Sequence, residues 1–322
     1  MRQPHIAIVS VDVDLHALVI QKAMARYGAE CHVIESNRVS SSGILNWSNA
    51  RDDGLGCRVP VRGGRDVDVA GLDVIWWRRA GYPQQIPSFV TDPAHIDLIN
   101  NDCRVALAGL LLNEFQGTWI SHPLNTQVAG NKLVQLRAAA RAGFRVPRTL
   151  VSQNPSEIQR FCEELHHKVV VKAVSGTNQA PLITKMFTPD HLECHDSVAL
   201  CPTIYQEYIP GQRHVRVHCF GDAIYAVVIE SPDLDWRPNL DVPFSIVELA
   251  DGVKTCLRNV LNVLGLKMGV VDLKFAEDGE PVWLEINPQG QFLFAEGLSG
   301  LDLTSAFTDF LYQEASQASN RV

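Results

Sequence analysis

KMGVVDLKFAEDGEPVWLEINPQGQFLFAE, residues 267–296, decides how the rest of the chain is read. Two apolar runs, Met268–Phe275 and Pro281–Asn287, flank Asp278-Gly279, a pair that tolerates the positive φ of a tight hairpin turn. A two-residue loop there places Asp272 directly opposite Glu285 and Pro281 opposite Ala276, a non-hydrogen-bonded position that spares the ladder the missing proline N–H. Alternation then puts Val270, Asp272, Lys274, Trp283, Glu285 and Asn287 on one face. Val271, Leu273, Phe275, Val282, Leu284 and Ile286 take the other. The Cβ atoms of Asp272 and Glu285 would lie roughly 4.5–5.5 Å apart, with Asn287 diagonal to them. Facing like charges destabilise a sheet, so something must neutralise them. Two carboxylates and an amide oxygen are hard donors that suit Mg²⁺. The competing reading is an ordinary polar network in which Lys274 or a distant arginine satisfies the pair, and spacing does not choose between the two.

Composition narrows the class. The chain has 322 residues, 46% hydrophobic and 20% charged, an ordinary globular balance with room for two or three structural units. A net charge of −8 argues against nucleic acid or an anionic membrane as partner. The eight cysteines are scattered without a C-x-x-C and read as reduced thiols of a cytoplasmic protein. The start carries no signal-peptide pattern, and the longest apolar stretch, Val105–Leu112, is far too short to span a bilayer.

Working outward, HIAIVSV (5–11) reads as a buried parallel strand. A helix from Asp14 to Tyr27 stops at Gly28, and CHVIE (31–35) is a second strand. This β-α-β opening predicts an open α/β domain, and a first turn without glycine excludes a dinucleotide fingerprint. Residues 40–66 read as an irregular loop, and DVIWWRR (73–79) as a strand ending in Arg78 and Arg79. A long helix covers 92–114, 117–123 forms a boundary zone, and one helix spans about 126–142. Asn154-Pro155-Ser156-Glu157 is a capping box opening a helix. Strands follow at 167–174, 203–209, 214–221 and 222–230, then helices at 254–264 and about 303–313 around the hairpin. The expected domains are 1–122, 123–205 and 206–322.

Lys132 lies at a helix start and Lys172 in an apolar strand, both ahead of the acidic hairpin. A lone strand lysine is more often an edge device. Two lysines beside a two-carboxylate site, however, are what a triphosphate needs: point charges for its oxygens and a metal to bridge them. Arg216, amid valines, could bridge phosphate oxygens bidentately.

The order Asn131-Lys132, Lys172, Gln206-Glu207-Tyr208-Ile209, Arg216 and Asp272…Glu285-x-Asn287 resembles the ATP-grasp superfamily. Within it the chain looks most like the graspetide synthetases, the microviridin-type peptide macrocyclases. WWRR (76–79), NKLVQLRAAARAGFRVPRTLVSQNP (131–155), the run 204–237 and GVVDLKF…GEPVWLEINPQGQF (269–292) carry that likeness. The resemblance implies an α/β chain: an N-terminal open α/β domain, then two α+β lobes that sandwich ATP. It implies adenine against the backbone at Glu207–Ile209, Gln206 as a further cofactor-binding residue, and phosphate contacts from Lys132 and Lys172. Arg237 and Asn239 would lie near the γ-phosphate, Mg²⁺ on Asp272, Glu285 and Asn287, and a substrate or acyl phosphate at Arg78 and Arg79. The implied catalytic pair is Arg216 and Lys172, and a loop at 175–181 would close over the site. His214 departs from the pattern, standing where related ligases place an acidic residue at the ribose. The implied reaction activates Asp or Glu side chains of a ribosomal precursor peptide, with leader and core, and closes ester or amide crosslinks. The implied assembly is a homodimer. A ligase for free amino acids and a low-turnover ATP-binding scaffold are the alternatives.

Overall fold

The computed structural model describes residues 2–42, 45–48, 57–176, 182–188, 191 and 198–319. By its contacts the chain forms two compact units, residues 1–123 with 302–322, and residues 124–301.

The first unit is built on a parallel sheet in the order β2-β1-β5-β6, with β1 His5–Ser10, β2 Glu30–Glu35, β5 Val74–Trp77 and β6 Thr118–Ile120. These strands are short apolar runs because both faces of the sheet are covered. Helix α1, Leu15–Met24, is capped by the Asp14 carboxylate accepting from His16 N–H, and the chain after it turns at Gly28 with φ +66°. On one face Ala7, Val9 and Ile75 pack with Leu107 and Leu111 of a long helix, Pro93–Glu114. On the other, Trp76 packs 4.5 Å from Phe307 of the last helix, Leu303–Ser319, which belongs to this unit. Two expectations change here. The stretch expected to be an irregular loop contains a short helix, Val39–Ser42, and an antiparallel hairpin of β3, Arg58–Val61, and β4, Arg65–Asp68. Alternating Val59, Val61 and Val67 bury one side of it. The boundary zone supplies β6, the sheet's edge strand.

The second unit holds two antiparallel sheets. The smaller has the order β7-β10-β8-β9, with β7 Thr149–Ser152, β8 Val169–Lys172, β9 Lys185–Met186 and β10 Thr203–Glu207. Helix Pro155–Glu164 covers it through Ile158 and Cys162, and Asn154 accepts from Ser156 and Glu157 N–H at its start, as its sequence predicts. The larger sheet has the order β13-β12-β11-β14-β15, with β11 Arg213–Phe220, β12 Ala223–Glu230, β13 Phe244–Val247, β14 Met268–Phe275 and β15 Pro281–Asn287. Helix Asp251–Leu264 lays Leu257, Val260, Leu261 and Leu264 on one face of it, each contributing about 1.5–3 kcal/mol by burial. The expected helix 126–142 is two helices, Pro123–Ala129 and Lys132–Arg141. Asn131 breaks it, capping the second helix at Leu133 and Val134 N–H.

The β14–β15 hairpin shows how a strand register is set. Asp272 does face Glu285, Val271 faces Ile286 and Val270 faces Asn287. Nearer the turn the expected register is wrong by one residue, since Pro281 faces Phe275, not Ala276. The loop is longer than two residues. Ala276 N–H donates to Glu280 O at 3.0 Å, Gly279 N–H to Ala276 O at 2.8 Å, and Gly279 takes φ +83°. An irregularity between Asp272 and Leu273 absorbs the difference, leaving Leu284 as the extra residue. Trp283, expected on the acidic face, therefore pairs with Leu273 and packs in the core 5.4 Å from Phe144.

Candidate functional site

The core-free face of the larger sheet forms one wall of a cleft of ≈ 520 Å³ within the second unit. His214, Asp272, Lys274, Leu284 and Glu285 come from that sheet, Lys172 from β8, Lys132 from the helix start, and Gln206–Ile209 from the end of β10. The bulge matters here, because it lets Leu284 and Glu285 both line the cleft.

Helix Lys132–Arg141 is fixed to the hairpin by one side chain. Gln135 donates from Nε2 to Ala129 O at 2.7 Å and Ile286 O at 2.9 Å, and its Oε1 accepts from Ile286 N–H at 3.0 Å. The amide thereby satisfies the outer edge of β15 as a further strand would. Three residues earlier on the same helix, Lys132 Nζ reaches Glu285 Oε2 at 3.5 Å and donates to Ala173 O at 3.4 Å. Arg216 Nη1 lies 2.8 and 3.0 Å from the two oxygens of Asp272, and its Nη2 donates to Gln291 O at 3.1 Å. The guanidinium sits between the Trp236 and Phe294 rings, 5.9 and 5.1 Å from their centroids. Each carboxylate of the facing pair thus meets a cation from elsewhere in the unit, the distant-arginine arrangement for Asp272 and a lysine other than Lys274 for Glu285.

The charges are tuned by burial. Desolvation raises the Asp272 carboxyl above its ordinary value, with Arg216 opposing it and Glu285 adding to it. Burial lowers Lys172 to about 8; Glu285 opposes the shift, and Lys132 and Arg237 reinforce it. Burial and then Lys274 push His214 down to about 4. Lys274 itself is lowered by burial. Arg237 is raised, chiefly by its hydrogen bonds to Asp235, where Arg237 Nε donates at 2.8 Å. Asp235 also accepts from Thr184 N–H at 3.4 Å, tying the 182–184 segment to the cleft rim.

The hinge, the segment Gln206–Ile209 that leads from β10 of one sheet toward β11 of the other, is held from behind. The Glu207 carboxylate accepts from Arg145 at 3.3 Å and Arg148 N–H at 3.0 Å. Gln206 is buried and donates to Thr149 Oγ1 at 2.8 Å. Glu207 N–H donates to Arg148 O and Tyr208 N–H to Lys168 O, whereas Ile209 N–H has no protein acceptor among the described residues.

Other expected site residues fall differently. Asn239 closes a local turn by accepting from Asp241 N–H, and Asn287 does the same with Gln289 N–H; neither lines the cleft. In the first unit Arg78 is wholly buried, ion-paired to Asp14 and 5.1 Å from the Trp76 ring. Its guanidinium is thus engaged with Asp14 inside the first unit. Arg79 is half-buried over Tyr82 at 5.7 Å. Of the loop at 175–181, Ser175 and Gly176 line the cleft and 177–181 lie outside the described residues. Sequence reasoning missed Gln135, Arg145 and the use of Lys274. Only Lys274 carried a signal, a lysine two residues from Asp272 on one strand face. Among the described residues no cluster of three His, Cys, Asp or Glu forms a metal site, so a metal here would need the amide of Asn287 or water as well.

Two sheets enclosing a cleft with lysines at one end and a hinge at the other define the ATP-grasp fold, and solved structures bear that out over nearly the whole chain. The macrocyclase MdnC from Microcystis aeruginosa MRC, bound with precursor peptide MdnA, superposes with a TM-score of 0.86 at 22% identity, over 95% of this chain and 99% of that one. A RiPP-associated ATP-grasp ligase of Chryseobacterium gregarium, in complex with ADP and a leader and core peptide, gives 0.85 at 22% identity, over 97% of each chain. The ATP-grasp ligase PsnB, complexed with a phosphomimetic variant of a minimal precursor, Mg and ADP, gives 0.78 at 21% identity, over 98% and 99%. No protein-family model matches the sequence, and no curated protein matches it.

Proposed function

We propose that this chain is an ADP-forming ligase that activates Asp or Glu side chains of a ribosomal precursor peptide and closes them into ester or amide crosslinks. The observation that carries the reading is the convergence of Lys132, Lys172 and the facing Asp272–Glu285 pair at one end of the cleft, with the Ile209 N–H at the hinge end. That arrangement suits ATP laid along the cleft, base to the hinge and phosphates to the lysines. Asp272 and Glu285 offer hard oxygen donors, so the residues present fit Mg²⁺; the Asn287 amide oxygen, now accepting from Gln289 N–H, would serve as a third donor on turning toward the cleft. When bound, the ion would neutralise charge on the phosphates. Lys132, Lys172 and Arg216 hold and balance those charges, and the family likeness assigns Arg237, paired with Asp235 at the rim, to the γ-phosphate.

The substrate carboxylate oxygen attacks the γ-phosphorus and ADP leaves. The resulting acyl phosphate is attacked by a hydroxyl or amine, which loses its proton as phosphate departs. Arg79 is the first-unit residue suited to the anionic substrate. The similar structures that hold a precursor peptide, or a leader and core peptide, support a peptide substrate over a free amino acid. The reading includes a homodimer in the cytoplasm, on the strength of the family likeness; among the described residues no helix is long and apolar enough to cross a membrane.

The test is the intact mass of a candidate precursor peptide after incubation with the protein, ATP and Mg²⁺. Losses of whole water molecules that require ATP are expected and count the rings. An unmodified peptide, with ADP formed instead on free amino acids, would replace this reading with the amino-acid ligase.

A further inference from the structure

The hinge end of the cleft contains a charge that the phosphate chemistry does not use. Lys274 is 4% exposed, yet it lines the cleft. No carboxylate of the described residues pairs with it; its recorded partner is the Tyr208 ring, 5.5 Å from Nζ. A buried ammonium costs several kcal/mol unless something accepts its protons, so such a group is kept where a ligand supplies the acceptor. Its cross-strand neighbour is His214, also 4% exposed and also lining the cleft. His214 Nε2 lies 3.2 Å from Asp233 O. A carbonyl only accepts, so this contact places a proton on Nε2 and leaves Nδ1 as the ring's acceptor.

Position decides which part of a nucleotide meets this pair. Lys274 is two residues along β14 from Asp272, on the same face and therefore about 7 Å further from the phosphate end. It lies over the ring of Tyr208, the residue before Ile209, whose N–H has no protein acceptor among the described residues. We propose that Lys274, with His214 beside it, is a specificity-determining pair for the nucleoside, Lys274 donating to an acceptor atom of the sugar or purine ring. The inference rests on the ATP reading above and deepens it.

The experiment is calorimetric binding of Mg·ATP, 2′-deoxy-ATP, 3′-deoxy-ATP, 7-deaza-ATP and 3-deaza-ATP to the wild-type chain, Lys274→Met and Lys274→Gln. The wild type is expected to bind at least one analogue about tenfold more weakly than ATP, the scale of a charge-assisted hydrogen bond. Lys274→Met should bind ATP about tenfold more weakly and lose that discrimination, while Lys274→Gln, which keeps a donor, falls between. A deoxy analogue as the discriminated one assigns the acceptor to the sugar; a deaza analogue assigns it to the purine. Thermal melts check folding, and Lys274→Met should melt no lower than wild type because a desolvated charge is gone. ATP binding by Lys274→Met within twofold of wild type, equal binding of all analogues by wild type, or unchanged discrimination in the variant would overturn the assignment alone. Failure of the wild type to bind ATP would overturn the ATP reading with it.

Discussion

Replacing Gln135 with leucine removes three hydrogen bonds while nearly conserving volume. The lost contacts are those to Ala129 O, Ile286 O and Ile286 N–H, at 2.7, 2.9 and 3.0 Å. Gln135 is 3% exposed, so water does not readily replace it. A net value of about 1 kcal/mol per bond gives a loss of about 3 kcal/mol, more if the Ile286 groups stay dry. The effect reaches the cleft, because Lys132 is on the same helix and Glu285 is adjacent to Ile286. Urea unfolding followed with Ile286 amide hydrogen exchange measures the first part, and calorimetric ATP affinity the second. A destabilisation below 1 kcal/mol, with the Ile286 amide still protected, would refute the claim that this side chain clamps helix to hairpin.

Other expectations can be checked alongside. Asp272→Asn should abolish ATP turnover, by at least about 100-fold, through loss of a phosphate-end charge; an unchanged rate in an ADP-release assay would remove Asp272 from the site. Gly290→Ala should destabilise by about 1–3 kcal/mol, since an added Cβ would lie 2.2 Å from Val270 Cγ2; thermal unfolding reports it. Burial lowers His214 to about 4 and His218 to about 3, from an unfolded value of 6.5, with Lys274 and Arg216 respectively adding to the shift. The unfolded chain therefore binds more protons between those values. Stability is full above pH 6.5 and is lost as pH falls toward 4, by up to about 2.7 kcal/mol per pH unit when both rings contribute. Urea midpoints that stay flat from pH 6.5 to 4.5 would contradict this.

The readable parts were those with local causes. Asn154-Pro155-Ser156-Glu157 opened a helix and Gly28 ended one, because caps and turn residues act over a few positions; Asp272 faces Glu285 as expected, but only because a bulge offsets a loop longer than the turn signal implies. Most misreadings had non-local causes; the helix break at Asn131 is an exception, a local cap set against continuous helical spacing. The hairpin in 58–68 is made by its buried valines, not by a strong turn signal. Nor does the sequence show that Arg78 pairs with Asp14, 64 residues away.

The sequence by itself determined the β-α-β opening, most of the helices and longer strands, the presence of the β14–β15 hairpin, and the two lysines that precede its carboxylates. Each follows from periodicity, capping or turn chemistry along the chain. Only the tertiary structure decided that Arg216 and Lys132 meet those carboxylates, that Gln135 seals the edge of β15, and that Trp283 enters the core while Leu284 lines the cleft. Those outcomes depend on one extra residue in a strand and on side chains brought together from distant segments. Local sequence rules assign a residue its likely conformation, but buried charges and edge amides find partners only when the sheets are assembled.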